Sequence, residues 1–222
     1  MRRLLLALLV LFSLSVHAAD RPLLSRYGFS PDARYHLLVS AWVRDGSGFP
    51  AARLQITDVR RNVLLVLDEL TERTGTPDPE RVAARLLARH HSDLARYALL
   101  SPVQGEPLFV VAPPAPQSWP PALPQRLTAG TLTFLLSRVA LPSGCPAPDP
   151  AHPPAGLRLS VNGHPLQADA RLPASRRCAG SYQLETGWRL GSAVAVVLRA
   201  YQPGFEGPDA WPLVVAGTLP DR

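Results

Sequence analysis

Between Arg34 and Val43, Tyr35, Leu37, Val39 and Ala41 alternate with His36, Leu38, Ser40 and Trp42. Apolar residues stand on both sides of that alternation, the pattern of a strand buried on two faces. Asp45-Gly46-Ser47-Gly48 then predicts a turn. Ala52 to Val59 reads as a second strand, Arg60-Arg61-Asn62 as a turn and Val63 to Leu67 as a third strand, together an antiparallel meander. The period then changes. Val82, Leu86, Leu87, Leu94, Tyr97 and Ala98 recur at helical spacing, which predicts one helix reaching about Leu100. Its start is marked by Asp78 as N-cap, Pro79 in the first position and Glu80 in the first turn, and Pro102 is its stop.

Strand character resumes at Pro107 to Ala112 and gives way to Pro113-Pro114-Ala115-Pro116 and Trp119-Pro120-Pro121. Proline at that density cannot enter a sheet interior and favours a stiff, extended connector. Arg126 to Leu141 is β-like, and Pro142 to Pro154 is a second proline-rich stretch. Leu157 to Val161 and His164 to Ala168 flank Asn162-Gly163, a two-residue hairpin turn. Tyr182 to Trp188, Ala193 to Tyr201 and Trp211 to Thr218 supply further strands. Nine or ten strands with one helix predict a mainly β, α+β protein of antiparallel, sandwich-like sheets. Residues 20–222 read as one unit. The alternative division is a β/α part at 20–111 and a β part at 126–222, joined by the proline-rich connector.

The first residues add an address. Met1-Arg2-Arg3, an apolar run from Leu4 to Leu14 and the small-residue end Val16-His17-Ala18-Ala19 match a signal peptide over residues 1–19, cut after Ala18 or Ala19. The run is about 11 residues, short of the ~20 a transmembrane helix needs. No cysteine follows it and no later stretch is apolar for long enough to span a bilayer, so the expectation is an exported protein, periplasmic or secreted.

The formal charge of +6 falls to about +4 once the signal leaves. Lysine is absent, the arginines are scattered apart from the pairs Arg60-Arg61 and Arg176-Arg177, and 25 residues are proline. That composition reflects a GC-rich coding sequence more than a nucleic-acid surface, which would need a basic stripe with aromatic platforms. Cys145 and Cys178 form an even pair in an exported chain, and a disulfide is the simplest reading.

Catalytic signatures are missing. There is no G-x-S-x-G elbow, no phosphate-binding glycine loop and no free thiol once the cysteines pair. His90-His91 are adjacent on a predicted helix and point about 100° apart, unsuited to sharing a metal. Two loops carry the remaining chemistry. Asp45-Gly46-Ser47-Gly48-Phe49-Pro50 sets two glycines beside an acid and a hydroxyl. Its oxygens are candidate ligands for calcium, although the spacing is not that of an EF-hand. Pro203-Gly204-Phe205-Glu206-Gly207-Pro208-Asp209 echoes that composition. If the fold joins them, Asp45, Ser47, Phe49, Phe205, Glu206 and Asp209 form an acidic, aromatic-lined spot for a cation, a small polar ligand or a protein partner.

Phe29-Ser30-Pro31-Asp32 resembles the repeat phrase of periplasmic β-propellers. It occurs once, and propellers need at least four blades, so a complete propeller is not expected. Gly28-Phe29-Ser30-Pro31-Asp32 leading to Asp45-Gly46-Ser47-Gly48-Phe49-Pro50 resembles the start of predicted secreted proteins grouped as domain of unknown function 2259. Leu172-Pro173-Ala174-Ser175-Arg176-Arg177-Cys178, Tyr182 and Gly204-Phe205-Glu206-Gly207-Pro208-Asp209 are similar to that family's C-terminal half. Ala33 stands where the resemblance leads one to expect glycine. The resemblance implies export and no known activity. The residues favour an exported binding or interaction module, with an envelope-acting hydrolase as the alternative.

Overall fold

The computed structural model describes residues 19–73, 77–115, 118–205 and 207–220. The meander is present and begins one strand earlier than its hydrophobic pattern suggests. Strands β1 (Leu23–Phe29), β2 (Tyr35–Val43), β3 (Pro50–Asp58) and β4 (Val63–Thr71) form an antiparallel sheet in chain order. β1 is hard to see in sequence because it is an edge strand with little burial before Gly28. A second sheet runs β6 (Gln125–Ala129), β7 (Leu132–Val139), β8 (Gly156–Val161), β9 (His164–Ala168). Asn162 and Gly163 turn its last hairpin with φ of 50° and 82°, the left-handed pair such a turn requires.

The remaining sheet is ordered β12 (Pro208–Thr218), β11 (Ala193–Pro203), β10 (Ser181–Leu190), β5 (Glu106–Val110). All twelve strands pair antiparallel. The β5 edge is notable because β5 precedes the proline-rich connector and pairs with β10, which follows it. The chain is therefore mainly β in three antiparallel sheets, without a closed barrel among the described residues.

The layer order follows from which residues each strand buries. Leu37, Val39 and Ala41 of β2, with Ala52, Leu54 and Ile56 of β3, pack against Val82, Ala83 and Leu86 of helix α1 (Pro79–Arg89). The opposite face of that sheet, with Leu38 and neighbouring Phe29 and Val59, packs on Ala193, Ala195 and Val197 of β11 and on Val214 and Ala216 of β12. The alternate residues Val194, Val196 and Leu198, with Val215, pack on Phe134, Leu136, Leu157 and Leu159 of the β6–β9 sheet. Helix, sheet, sheet and sheet are stacked, and the central sheet is covered on both faces. That double burial explains the unbroken apolar run from Ala193 to Leu198. Each fully buried leucine in these cores contributes ~1.5–3 kcal/mol over an exposed one.

Two sequence expectations need correction. Twelve strands replace nine or ten, since Arg126 to Leu141 divides at the Gly130 turn and β1 was not recognised. The helix does not run to Leu100: α1 ends at Arg89, and a short α2 (His91–Arg96) follows. Asp78 does cap α1, accepting from the Arg81 amide at 3.1 Å. The break falls at His90, whose ring is held by Asp68 of β4 at 2.9 Å and Asp93 at 2.8 Å. After Arg96, Ala98 takes φ 55° and the Leu99 amide reaches back to the Leu94 carbonyl at 2.7 Å. This Schellman-type closure ends the helix and buries Leu99.

Cys145 and Cys178 are bonded, with Cα atoms 5.0 Å apart. Arg176, two residues before Cys178, forks onto Asp169 at 2.7 and 2.9 Å. Asp169 Oδ2 also accepts from the Leu157 amide at 2.9 Å, and Tyr182 donates to the Ala155 carbonyl at 2.7 Å. The second arginine pair seen in sequence is thus partly a buried fastening between the Cys178 loop and β8.

Candidate functional site

Two corners of the molecule concentrate polar side chains. The first is where the glycine-acid loops lie. Arg44 to Phe49 closes as a tight turn, with the Arg44 amide donating to the Phe49 carbonyl at 2.8 Å and the Gly48 amide to the Arg44 carbonyl at 3.0 Å. Gly46 and Gly48 adopt φ of 71° and 68°, which the turn requires and glycine supplies without strain. Across from it, a side chain at Gly204 would meet the Gly207 carbonyl at 2.4 Å and Asp209 Oδ1 at 2.7 Å, so the second loop needs glycine for close approach.

Asp20, which the sequence reading did not single out, joins the two loops. Its Oδ1 accepts from the Asp45 amide at 2.8 Å, its amide donates to Asp209 Oδ1 at 2.9 Å, and its carbonyl accepts from the Ala210 amide at 2.9 Å. Asp45 Oδ1 accepts from the Gly46 amide at 2.7 Å. Asp45 and Asp209 therefore come to one corner, in each other's field. Burial is the main force pushing the Asp209 carboxyl above its ordinary range, with the charges of Asp20 and Asp45 adding to it.

Ser47 and Phe49 stay within their own turn. The Ser47 hydroxyl accepts from the Phe49 amide at 3.4 Å inside its own turn, and Phe49 is half-buried. Phe205 is 90% exposed, and Glu206 lies outside the described residues. Among the described residues no group of three histidine, cysteine, aspartate or glutamate side chains is arranged to hold a metal ion. Here the acids tie backbone segments together.

The second corner lies where the β1–β2 and β3–β4 turns meet the β10–β11 turn and the end of β12. A cleft of about 630 Å³ opens there, lined by Asp32, Arg34, Asp58, Arg60, Arg61 and Ser192, with Ala33, Ala193 and Thr218. Antiparallel order puts the two meander turns at the same end of the sheet, and the Ser192 turn at the facing end of the central sheet.

Both carboxylates of this cleft are committed to their own turns. Asp32 Oδ1 accepts from the Ser30 hydroxyl at 2.6 Å and from the Arg34 amide at 3.1 Å. The Ser30 hydroxyl is the chief cause holding the Asp32 carboxyl below its ordinary value, so it stays ionised. Asp58 Oδ1 accepts from the Arg61 amide at 3.0 Å. Ala33 sits between Asp32 and Arg34 at φ 58°, a conformation costing an alanine ~1–2 kcal/mol.

The arginines differ. Arg34 stands 5.2 Å from the centre of the Tyr35 ring. The Arg60 and Arg61 side chains are exposed, and among the described residues neither guanidinium has a hydrogen-bond acceptor or an ion-pair partner. The sequence predicts Arg60-Arg61-Asn62 only as a turn. The signal available was topological, since alternate turns of a meander share one end.

No curated protein and no solved structure matches the chain. A family model described as "Predicted secreted protein (DUF2259)" matches residues 37–218. That span runs from Leu37 in β2 to the last residue of β12; it takes in the disulfide, Asp45 and Asp209 of the first corner and Asp58, Arg60 and Arg61 of the second, and leaves out β1, Asp20 and Asp32 to Arg34, and the chain belongs to this family of predicted secreted proteins.

Proposed function

We propose that this is an exported binding module, acting in the periplasm or beyond it, that holds an anionic ligand in the cleft between the β1–β2, β3–β4 and β10–β11 turns. The carrying observation is the pair Arg60 and Arg61, two guanidinium groups lining a polar cleft, without acceptors among the described residues. Guanidinium is weakly hydrated and presents a planar fork of donors suited to carboxylate or phosphate. Arg34 adds a third positive charge, and the hydroxyls of Ser192 and Thr218 offer neutral partners on the opposite wall. The ligand class is a carboxylated or phosphorylated molecule of a size that fits about 630 Å³.

An envelope-acting hydrolase finds less support. The two carboxyl groups in the cleft serve backbone amides, and Asp32 is held in its charged form, the opposite of what a general acid needs.

Calorimetric titration of the oxidised protein with pyrophosphate and with citrate, at low and at high salt, tests the proposal. Binding weakened at least tenfold by Arg60→Ala/Arg61→Ala, and weakened again by salt, is the expected result. Absence of binding by either anion at low salt, or binding unchanged in the double variant, overturns it.

A further inference from the structure

Each polar atom of Asp20 has a partner. Its amide and carbonyl engage β12 at Asp209 and Ala210, Oδ1 engages the Asp45 amide, and Oδ2 lies 3.6 Å from Arg44. The next residues are held as well: the Arg21 guanidinium donates to the Pro114 carbonyl at 3.1 Å, and Arg199 donates to the Pro22 carbonyl. The main-chain nitrogen of Asp20 thus points at a carboxylate. In the sequence, that residue follows Val16-His17-Ala18-Ala19, the end of a signal-peptide pattern. Structure and processing pattern meet within two peptide bonds of each other.

The charges there are unbalanced. Asp20, Asp45 and Asp209 bring three carboxylates together, against Arg44, which lies 3.6 Å from Asp20 and is shared with Glu69, and Arg21, whose charge acts on Asp209. We propose that this acidic corner is the receptor for the mature chain's own α-ammonium, so that removal of the signal peptide completes the fold. A cut after Ala19 turns the Asp20 amide, already 2.9 Å from Asp209 Oδ1, into an ammonium at that position. A cut after Ala18 puts the ammonium one residue away, within ~4 Å of that nitrogen. In the uncut precursor the same place holds only an uncharged peptide group.

The proposal is independent of the anion cleft and gives the two glycine-acid loops a role without a metal. The raised affinity of Asp209 for a proton is consistent with it, since burial and the charges of Asp20 and Asp45 act against its charged form. The groups facing the ammonium are Asp20, Asp45 and Asp209 on the acidic side and Arg44 and Arg21 on the basic side. An opposite charge at this distance raises an amine's pKa above its ordinary ~7.7–8.0. The added stability is then present below that ordinary value and lost as pH rises through the amine's folded-state pKa.

The test begins with the intact mass of the exported protein, expected to start at Ala19 or Asp20. That mature chain is then compared with one carrying four extra residues, Gly-Ser-Gly-Ser, ahead of the same start, which moves the ammonium away by up to ~13 Å. The extension is expected to lower Tm by about 3 °C or more at pH 7 and to have no effect above pH 10.5. In Asp209→Asn the extension is expected to change nothing at either pH. Overturning results are a mature start elsewhere, an extension without effect at pH 7, an equal effect in Asp209→Asn, or stabilisation of the unextended chain by calcium ion.

Discussion

His36 is fully enclosed between the first sheet and the central one, edge-on to Phe29 at 4.9 Å and stacked near Trp188 at 6.1 Å. Neither ring nitrogen has a hydrogen-bond partner among the described residues, so nothing repays the loss of water around a proton. Burial alone pushes its pKa down to about 3. The folded value lies below the unfolded ~6.5, so the unfolded chain takes up the proton first. Stability from this group is complete above pH 6.5 and declines as pH falls toward about 3. Between pH 6.5 and 4.5 the loss is ~2.3 kcal/mol, a little under two units at ~1.36 kcal/mol each because half of the unfolded rings are already protonated at pH 6.5. Urea unfolding at both pH values reads it, and His36→Leu should remove that part of the slope. A slope unchanged in His36→Leu would mean that the ring is hydrated or charged in the folded state. Periodicity located His36 on a two-faced strand but did not show that its neighbours would be Phe29 and Trp188, because those contacts join residues far apart in the chain.

At the scale of elements, strands whose apolar residues alternate or run together were legible, and so was the N-terminus of α1, where Asp78, Pro79 and Glu80 act locally. What failed was longer in range. β1 lacks alternation because it lies at an edge, and α1 ends where Asp68, a residue of another element, captures His90. The arginine cleft was hidden for the same reason, being made of turns that meet only in the folded sheets. The Arg176–Asp169 fork spans only seven residues, but no helical or strand period announces it, and its side-chain exposures are 9% and 3%. Burial would raise the Asp169 carboxyl, but the fork and the Leu157 amide outweigh it and hold it below its ordinary value. Asp169→Asn should therefore cost ~3–5 kcal/mol of unfolding free energy by leaving a buried guanidinium without its anion. Pairing it with Arg176→Met should recover much of that cost in equilibrium urea unfolding. A single variant as stable as the parent would show that the fork is not desolvated.

For the whole molecule, the issue is whether the proline-rich connector separates two units, and the layer order argues that residues 20–222 unfold together. The helix-bearing meander buries Phe29, Leu38 and Val59 against β11 and β12. β5, on the meander's side of the connector, is hydrogen-bonded to β10 on the other side, and Phe29 and Val103 exchange main-chain hydrogen bonds at 2.9 and 2.7 Å. Neither half can leave without exposing one face of the central sheet, and that sheet has the composition of a layer buried on both faces. Calorimetry of the oxidised mature chain should show one transition whose van't Hoff and calorimetric enthalpies agree. The Cys145–Cys178 bridge closes a separation of 33 residues within the C-terminal half, where cross-linking is worth ~3–4 kcal/mol in the chain-entropy estimate. If the layers are coupled, reduction lowers the single Tm and takes the helix signal and the sheet signal down together. If the connector divides the protein, reduction shifts only the C-terminal transition and leaves the helix, read by far-ultraviolet circular dichroism, melting where it did before.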